Sequence, residues 1–165
     1  MKLVALVPVK ALAFVDYEAY QTLFSDYARL FGKRNVVFGF DEDDEIAISL
    51  AKERRMRYVT EKPTRPFRIC RLWMRLAEYA VESLAATHVI LLGDDVIIHD
   101  NKKFKKDIKL LTDCGYACVA VRERTHPSWP TFLVIETDRF VVPFFRQLFY
   151  EHFVNQDADP FVYEF

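Results

Sequence analysis

A chain of 165 residues, 52% of them hydrophobic, has the length of one domain and enough apolar material for a full core. Its net charge of −1 provides no global basic field of the kind that drives nucleic-acid binding, so nucleic acid is excluded as the expected partner. No stretch approaches the ~20 apolar residues of a membrane span, and the opening run Met1–Pro8 carries no secretory cleavage signal.

Three cysteines, Cys70, Cys114 and Cys118, form neither CxxC pairs nor an even disulfide set. Buried, reduced thiols in a cytoplasmic protein are the expectation. A zinc site at Cys114 and Cys118 is disfavoured, because Tyr116 and Ala117 between them read as strand and no paired histidine follows.

Strands and helices alternate from the start. Leu3 to Val9 reads as a first strand. Asp16 to Phe31 reads as a helix with Tyr20, Leu23, Phe24, Tyr27, Leu30 and Phe31 on one side and Gly32 as its stop. Asn35 to Phe40 is a second strand and ends in the acidic cluster Asp41-Glu42-Asp43-Asp44. Helix N-capping needs only one of these acids, which leaves Asp41 or Asp43 for other contacts. A short helix from Asp44 to Arg55 turns Ile46, Ala47, Leu50 and Ala51 inward, and Arg57 to Thr60 is a brief third strand.

Pro63 and Pro66 mark a loop before the strongest helix, Phe67 to Leu84, whose buried stripe is Ile69, Leu72, Trp73, Leu76 and Ala80. Arg68, Arg71 and Arg75 lie at i, i+3 and i+7 on this helix, with Arg65 just ahead of it. A helix amino terminus and guanidinium groups both attract phosphate, so Arg65 and Arg68 are the candidates for a diphosphate. Glu78 and Glu82 account for Arg75 as part of a solvated ion-pair ladder, and Arg71 stays open.

The most informative run follows. Thr87 to Ile98 is β-branched and leucine-rich apart from Gly93-Asp94-Asp95, and reads as a strand buried on both faces that delivers two acids at its carboxyl end. Two carboxylates about 4 Å apart repel by roughly 4 kcal/mol at an effective dielectric near 20. A cation between them removes that penalty, and oxygen ligands of this kind suit Mg²⁺ or Mn²⁺ sharing their shell with substrate phosphates. His88 within the run reads as a core histidine. A basic helix from Lys102 to Cys114 follows, inward-facing at Phe104, Ile108 and Leu111, then strands at Tyr116 to Val121 and Thr131 to Glu136. The order argues for a mainly parallel sheet covered by helices on both faces.

Between the last two strands, His126-Pro127-Ser128-Trp129-Pro130 is stiffened by two prolines. Trp129 is placed to stack on a sugar, with His126 or Ser128 bonding its hydroxyls. A phenylalanine-rich helix is expected from Phe140 to His152. Beyond it, Asp157 is the candidate general base, and Asp159 is either a second acid of that kind or the N-cap before Pro160. The helix that starts there stops almost at once, so a piece of a longer protein, with neighbouring domains, is expected.

Pro8 closing the first strand, acids closing the second, an arginine-bearing helix after the third and Asp94-Asp95 closing the fourth together resemble the GT-A nucleotide-sugar glycosyltransferases. The similarity covers nearly the whole chain and is nearest to small domains within larger, sometimes virus-encoded, proteins. It implies a single GT-A-like, Rossmann-like α/β domain over residues 1–165. It also implies that Asp94 and Asp95 form the "DXD" site for Mn²⁺ or Mg²⁺, with Gly93 where many members carry a further acid. Backbone groups at Pro8 and Val9 would then face the nucleobase, and Asp41 or Asp43 its N–H groups or the ribose. The implied activity is transfer of a sugar from a nucleotide-diphosphate donor, most commonly a UDP-sugar, to a hydroxyl acceptor on a glycan or other molecule.

Two alternatives stand beside it. A nucleotidyltransferase has a similar sheet but needs a glycine-rich, basic loop after the first strand, where this chain has Ala11-Leu12-Ala13-Phe14. An inactive sugar-nucleotide- or protein-binding module would use Phe144, Phe145, Phe149, Tyr150 and Phe153 as a docking surface.

Overall fold

The computed structural model describes residues 1–9, 17–63, 69–94, 101–114, 118–122 and 130–137. Among these the elements run β1 (Leu3–Pro8), α1 (Tyr17–Phe31), a 3₁₀ turn (Lys33–Asn35), β2 (Val36–Asp41), α2 (Glu45–Glu53), β3 (Arg57–Glu61), α3 (Ile69–Glu82), β4 (His88–Leu91), α4 (Asn101–Asp113), β5 (Cys118–Arg122) and β6 (Pro130–Glu136). They form one six-stranded sheet in the order β3-β2-β1-β4-β6-β5. The first four of these strands are mutually parallel, whereas β6 runs antiparallel to both β4 and β5. The sheet is therefore mainly parallel, as the alternation of elements implies.

Period-two alternation along β1 and β2 separates two cores. Val4, Leu6 and Val37 face α3, where Leu72, Trp73, Leu76, Ala77 and Ala80 meet them. Ala5, Val7, Val36, Phe38 and Phe40 face the other way, toward Tyr20, Phe24 and Tyr27 of α1, Leu50 of α2 and Ile108 of α4. Both faces of the central strands are thus covered, which is why their sequences read as near-continuous apolar runs. On the α1 side, Phe24 lies 4.7 Å from Phe38, centroid to centroid, and Tyr27 meets Phe38 edge-on at 6.0 Å.

Gly39 permits the close seating of α3. A Cβ built there would lie 2.7 Å from Leu72 Cγ and 2.8 Å from Leu72 Cδ1. Gly32 ends α1 at φ +83°, with its N–H on the Ala28 carbonyl at 2.8 Å, the left-handed exit glycine favours. The amino edge of the sheet is knit by reciprocal bonds between Lys2 and Thr87 and by Thr137, whose hydroxyl donates to the Ala86 carbonyl at 2.8 Å.

Four expectations need correction. Ile46 is half exposed, at 51%, because α2 turns the arc of Ala47, Leu50 and Ala51 inward and Ile46 lies one residue outside it. Cys114 is a free, exposed thiol, since it follows the last turn of α4 on the solvent side. The informative strand is short: β4 ends at Leu91, and Asp94 lies in a turn three residues later. Finally, α2 and α3 stop at Glu53 and Glu82 rather than at Arg55 and Leu84.

Candidate functional site

Successive strands β1, β2 and β3 are laid down in one direction across the sheet, and β4 then starts on the other side of β1. That reversal falls at the carboxyl ends of β1 and β4, the place where open α/β sheets bind ligands in a crevice.

One wall is the turn that closes β2. Asp44 is the N-cap of α2, its Oδ1 accepting from the Ala47 N–H at 3.0 Å, a cap worth about 1 kcal/mol. Its Oδ2 accepts from the Tyr20 hydroxyl at 2.5 Å. The capping role thus falls to Asp44, which leaves Asp41 half-buried and Asp43 exposed. Burial, followed by the charges of Asp43 and Asp44, raises the Asp41 carboxyl above its ordinary 3.8.

The other wall is the exit of β4. The Leu92 N–H extends the ladder to the Leu6 carbonyl at 3.0 Å, and the Gly93 carbonyl accepts from the Tyr27 hydroxyl at 2.5 Å. Asp94 comes next and is half-buried. The Tyr20 phenol, bonded to Asp44, feels the charges of both walls. Burial raises it most, then its bond to Asp44, then the negative charges of Asp44, Asp94 and Asp41. The acids of β2 and β4 therefore act on one common hydroxyl.

At the end of β1, Pro8 stands opposite Gly39. Val9 is buried and its N–H is committed to the Gly39 carbonyl at 2.8 Å. Arg71 and Arg75 reach Glu61 at 3.8 and 3.6 Å, and Arg75 also reaches Glu78 at 3.3 Å. Glu61 ends β3, two strands from the reversal, so these arginines brace that edge of the sheet. The Nδ1 of half-buried His88 lies 3.1 Å from the Thr87 hydroxyl. Arg65, Arg68, Asp95, His126, Ser128, Trp129, Asp157 and Asp159 lie outside the described residues.

Three participants escape a reading of periodicity: Tyr20, Tyr27 and Glu61. The two tyrosines have the spacing of a core stripe, and both rings are buried. The signal that distinguishes them is the hydroxyl, since a phenol inside an apolar stripe needs a partner. A cavity of about 320 Å³ between α1 and α4, lined in part by Met1, Leu3, Phe31 and Phe104, lies at the amino edge and shares no residue with the acidic crevice.

Among the described residues, no three His, Cys, Asp or Glu side chains are arranged to hold a metal ion. Divalent ions at phosphate sites commonly take one or two carboxylates and fill their shell with phosphate oxygens and water. Asp94 with its neighbour Asp95 fits that donor chemistry.

No protein-family profile and no curated protein sequence matches this chain. Several solved structures do match its fold. A 4-diphosphocytidyl-2C-methyl-D-erythritol synthase from Anaerococcus prevotii superposes with a TM-score of 0.65 at 12% identity, over 98% of this chain and 82% of that one. A protein from Desulfovibrio desulfuricans, assigned as a nucleotide-diphospho-sugar transferase, gives 0.61 at 11% identity, over 93% and 71%. A Mycobacterium tuberculosis protein, solved as a complex with manganese, gives 0.57 at 16% identity, over 90% and 76%. The chain spans only 41% of another match, a mannose-1-phosphate geranyltransferase from Thermus thermophilus. At these identities the likeness is one of fold. The architecture is the α/β, Rossmann-like sheet of nucleotide-sugar transferases and nucleotidyltransferases.

Proposed function

We propose that the chain is a metal-dependent glycosyltransferase that moves a sugar from a nucleotide-diphosphate donor, a UDP-sugar being favoured, to a hydroxyl acceptor such as a glycan. The observation that carries this reading is Asp94 leaving β4 at the reversal of strand order, with the acidic turn of β2 acting on the same tyrosine. Asp94 and Asp95 are the residues that would hold Mn²⁺ or Mg²⁺. When bound, the ion stabilises the charge that develops on the departing diphosphate. Arg65 and Arg68 add guanidinium groups to the same oxygens.

Asp41 or Asp43 receives ribose hydroxyls or base N–H groups. Asp41 is the stronger candidate, because a half-buried carboxylate crowded by like charge gains most from a donor. Because Val9 commits its N–H to Gly39 and Pro8 has none, their carbonyls would be the groups that meet the base, and His126 and Trp129 would serve the sugar. In the transfer, the bond from the anomeric carbon to the phosphate oxygen breaks and its electron pair leaves with the diphosphate. The acceptor oxygen bonds to that carbon, and its proton passes to Asp157 or Asp159.

A second reading has its own support. Among the structures of like fold is a cytidylyltransferase from Leptospira borgpetersenii, which favours nucleotidyl transfer on the same acids. The products separate the two. With nucleotide sugars, Mn²⁺ and hydroxyl acceptors, release of nucleoside diphosphate is expected, and Asp94→Ala is expected to lower it about a hundredfold or more. Pyrophosphate release from a nucleoside triphosphate and a sugar phosphate would select the second reading instead. Neither product, together with nucleotide binding indifferent to Mn²⁺, would overturn both.

A further inference from the structure

The structure assigns to Tyr27 the role of a positioning residue that sets the direction in which Asp94 leaves β4. The inference rests on the reading above, in which Asp94 holds the divalent ion of a nucleotide-binding site. Gly93 precedes Asp94 and has no side chain with which packing could fix it. Glycine is the residue with the widest backbone freedom, so without an outside anchor the segment after β4 has no defined heading. Leu92 is held from one side by the Leu6 carbonyl at 3.0 Å. The Gly93 carbonyl is held from the other by the Tyr27 hydroxyl at 2.5 Å.

The anchor itself is rigid. The Tyr27 side chain is buried at 4% exposure, and its ring is edge-on to Phe38 at 6.0 Å and stacked on Phe31 at 6.3 Å. Helix α1 thus ties the β4 exit with one hydroxyl and, two turns earlier, the β2 turn with another, from Tyr20 to Asp44. Outer-shell contacts made directly to a metal's ligands commonly govern about 10–100-fold in metal affinity, and this one, acting through the backbone one residue before Asp94, is expected at the lower end.

Tyr27→Phe keeps the ring contacts and removes only the hydroxyl. The experiment is calorimetric titration of UDP into the full chain with Mn²⁺ and with EDTA, for the parent, Tyr27→Phe, Asp94→Asn and the double variant, each after its unfolding midpoint has been measured. Tyr27→Phe is expected to leave UDP affinity in EDTA within about twofold and to cut the gain due to Mn²⁺ by about tenfold. In the Asp94→Asn background it is expected to cut nothing further, because the two residues act through one site. An equal loss with and without Mn²⁺ would make Tyr27 a structural residue only and overturn the inference, as would an undiminished Mn²⁺ gain in Tyr27→Phe. If the parent itself shows no Mn²⁺ gain, the metal-dependent function fails, and the inference with it. Should Tyr27→Phe not fold, the same titration on chains carrying 4-aminophenylalanine or 4-fluorophenylalanine at position 27 tests the same bond: the Mn²⁺ gain is expected to survive with the amino group, which still donates, and to fall with fluorine, which cannot, and equal gains in the two would overturn the inference.

Discussion

Asp41 costs the fold stability in the place where a ligand would use its charge. Its folded-state carboxyl is raised by burial and by the charges of Asp43 and Asp44, so the folded chain binds that proton more readily than the unfolded chain. Between the ordinary value of 3.8 and the raised one, stability falls as pH rises, and above that window the penalty is fully present. Asp41→Asn is therefore expected to raise the thermal unfolding midpoint at about pH 7 and to match the parent at about pH 3. Equal gains at both pH values would rule out electrostatics as the cause. The same substitution is expected to weaken nucleotide binding, the usual exchange of stability for function at a binding carboxylate.

At the scale of elements, the seam between β2 and α3 is closed at Gly39. Gly39→Ala would drive a methyl group to within 2.8 Å of two Leu72 carbons, and Leu72 is itself buried at 2% exposure. Denaturant unfolding is expected to show a loss of about 1–3 kcal/mol, the cost of overpacking a closed core. A change below about 0.5 kcal/mol would mean that Leu72 relaxes freely. The existence and order of the elements from β1 to β6 were legible in the sequence, because apolar periodicity reports burial directly, while the helix expected from Phe140 to His152 lies outside the described residues. Two helix ends were not. α2 and α3 are followed by Arg55 and Ala85 in left-handed backbone, at φ 54° and 49°, where glycine normally announces the stop. Hydrogen bonds from Met56 to the Ala51 carbonyl and from Ala86 to the Ala80 carbonyl hold those turns in glycine's absence. The antiparallel course of β6 was equally unreadable, since strand direction is set by tertiary pairing and leaves no local pattern.

The whole molecule divides its labour between two edges of one sheet. The amino edge is stitched by Lys2, Thr87 and Thr137, and the carboxyl edge gathers Asp41, Asp43, Asp44 and Asp94. For the candidate site, the acids at the strand ends were legible as residue types. The tyrosine tethers were not, because contact between α1 and both walls arises only when the sheet is assembled. Linkage supplies a test at this scale. UDP with Mn²⁺ at about a hundred times the dissociation constant is expected to stabilise the chain by about 2.7 kcal/mol, and chelation of the metal to abolish most of that shift. A thermal shift of the same size in EDTA would count against a shared metal and diphosphate site. No helix among the described residues is long and apolar enough to cross a membrane.

Because β6 runs against its neighbours, Thr137 arrives beside Thr87, at the end of the sheet remote from the crevice. Any later residue that is to meet the donor must make a return journey of about a strand's length, roughly 17–20 Å. Asp157 lies twenty positions past Thr137, and even at the most compact rise of about 1.5 Å per residue that length of chain reaches about 30 Å, so the return to the donor is within its range.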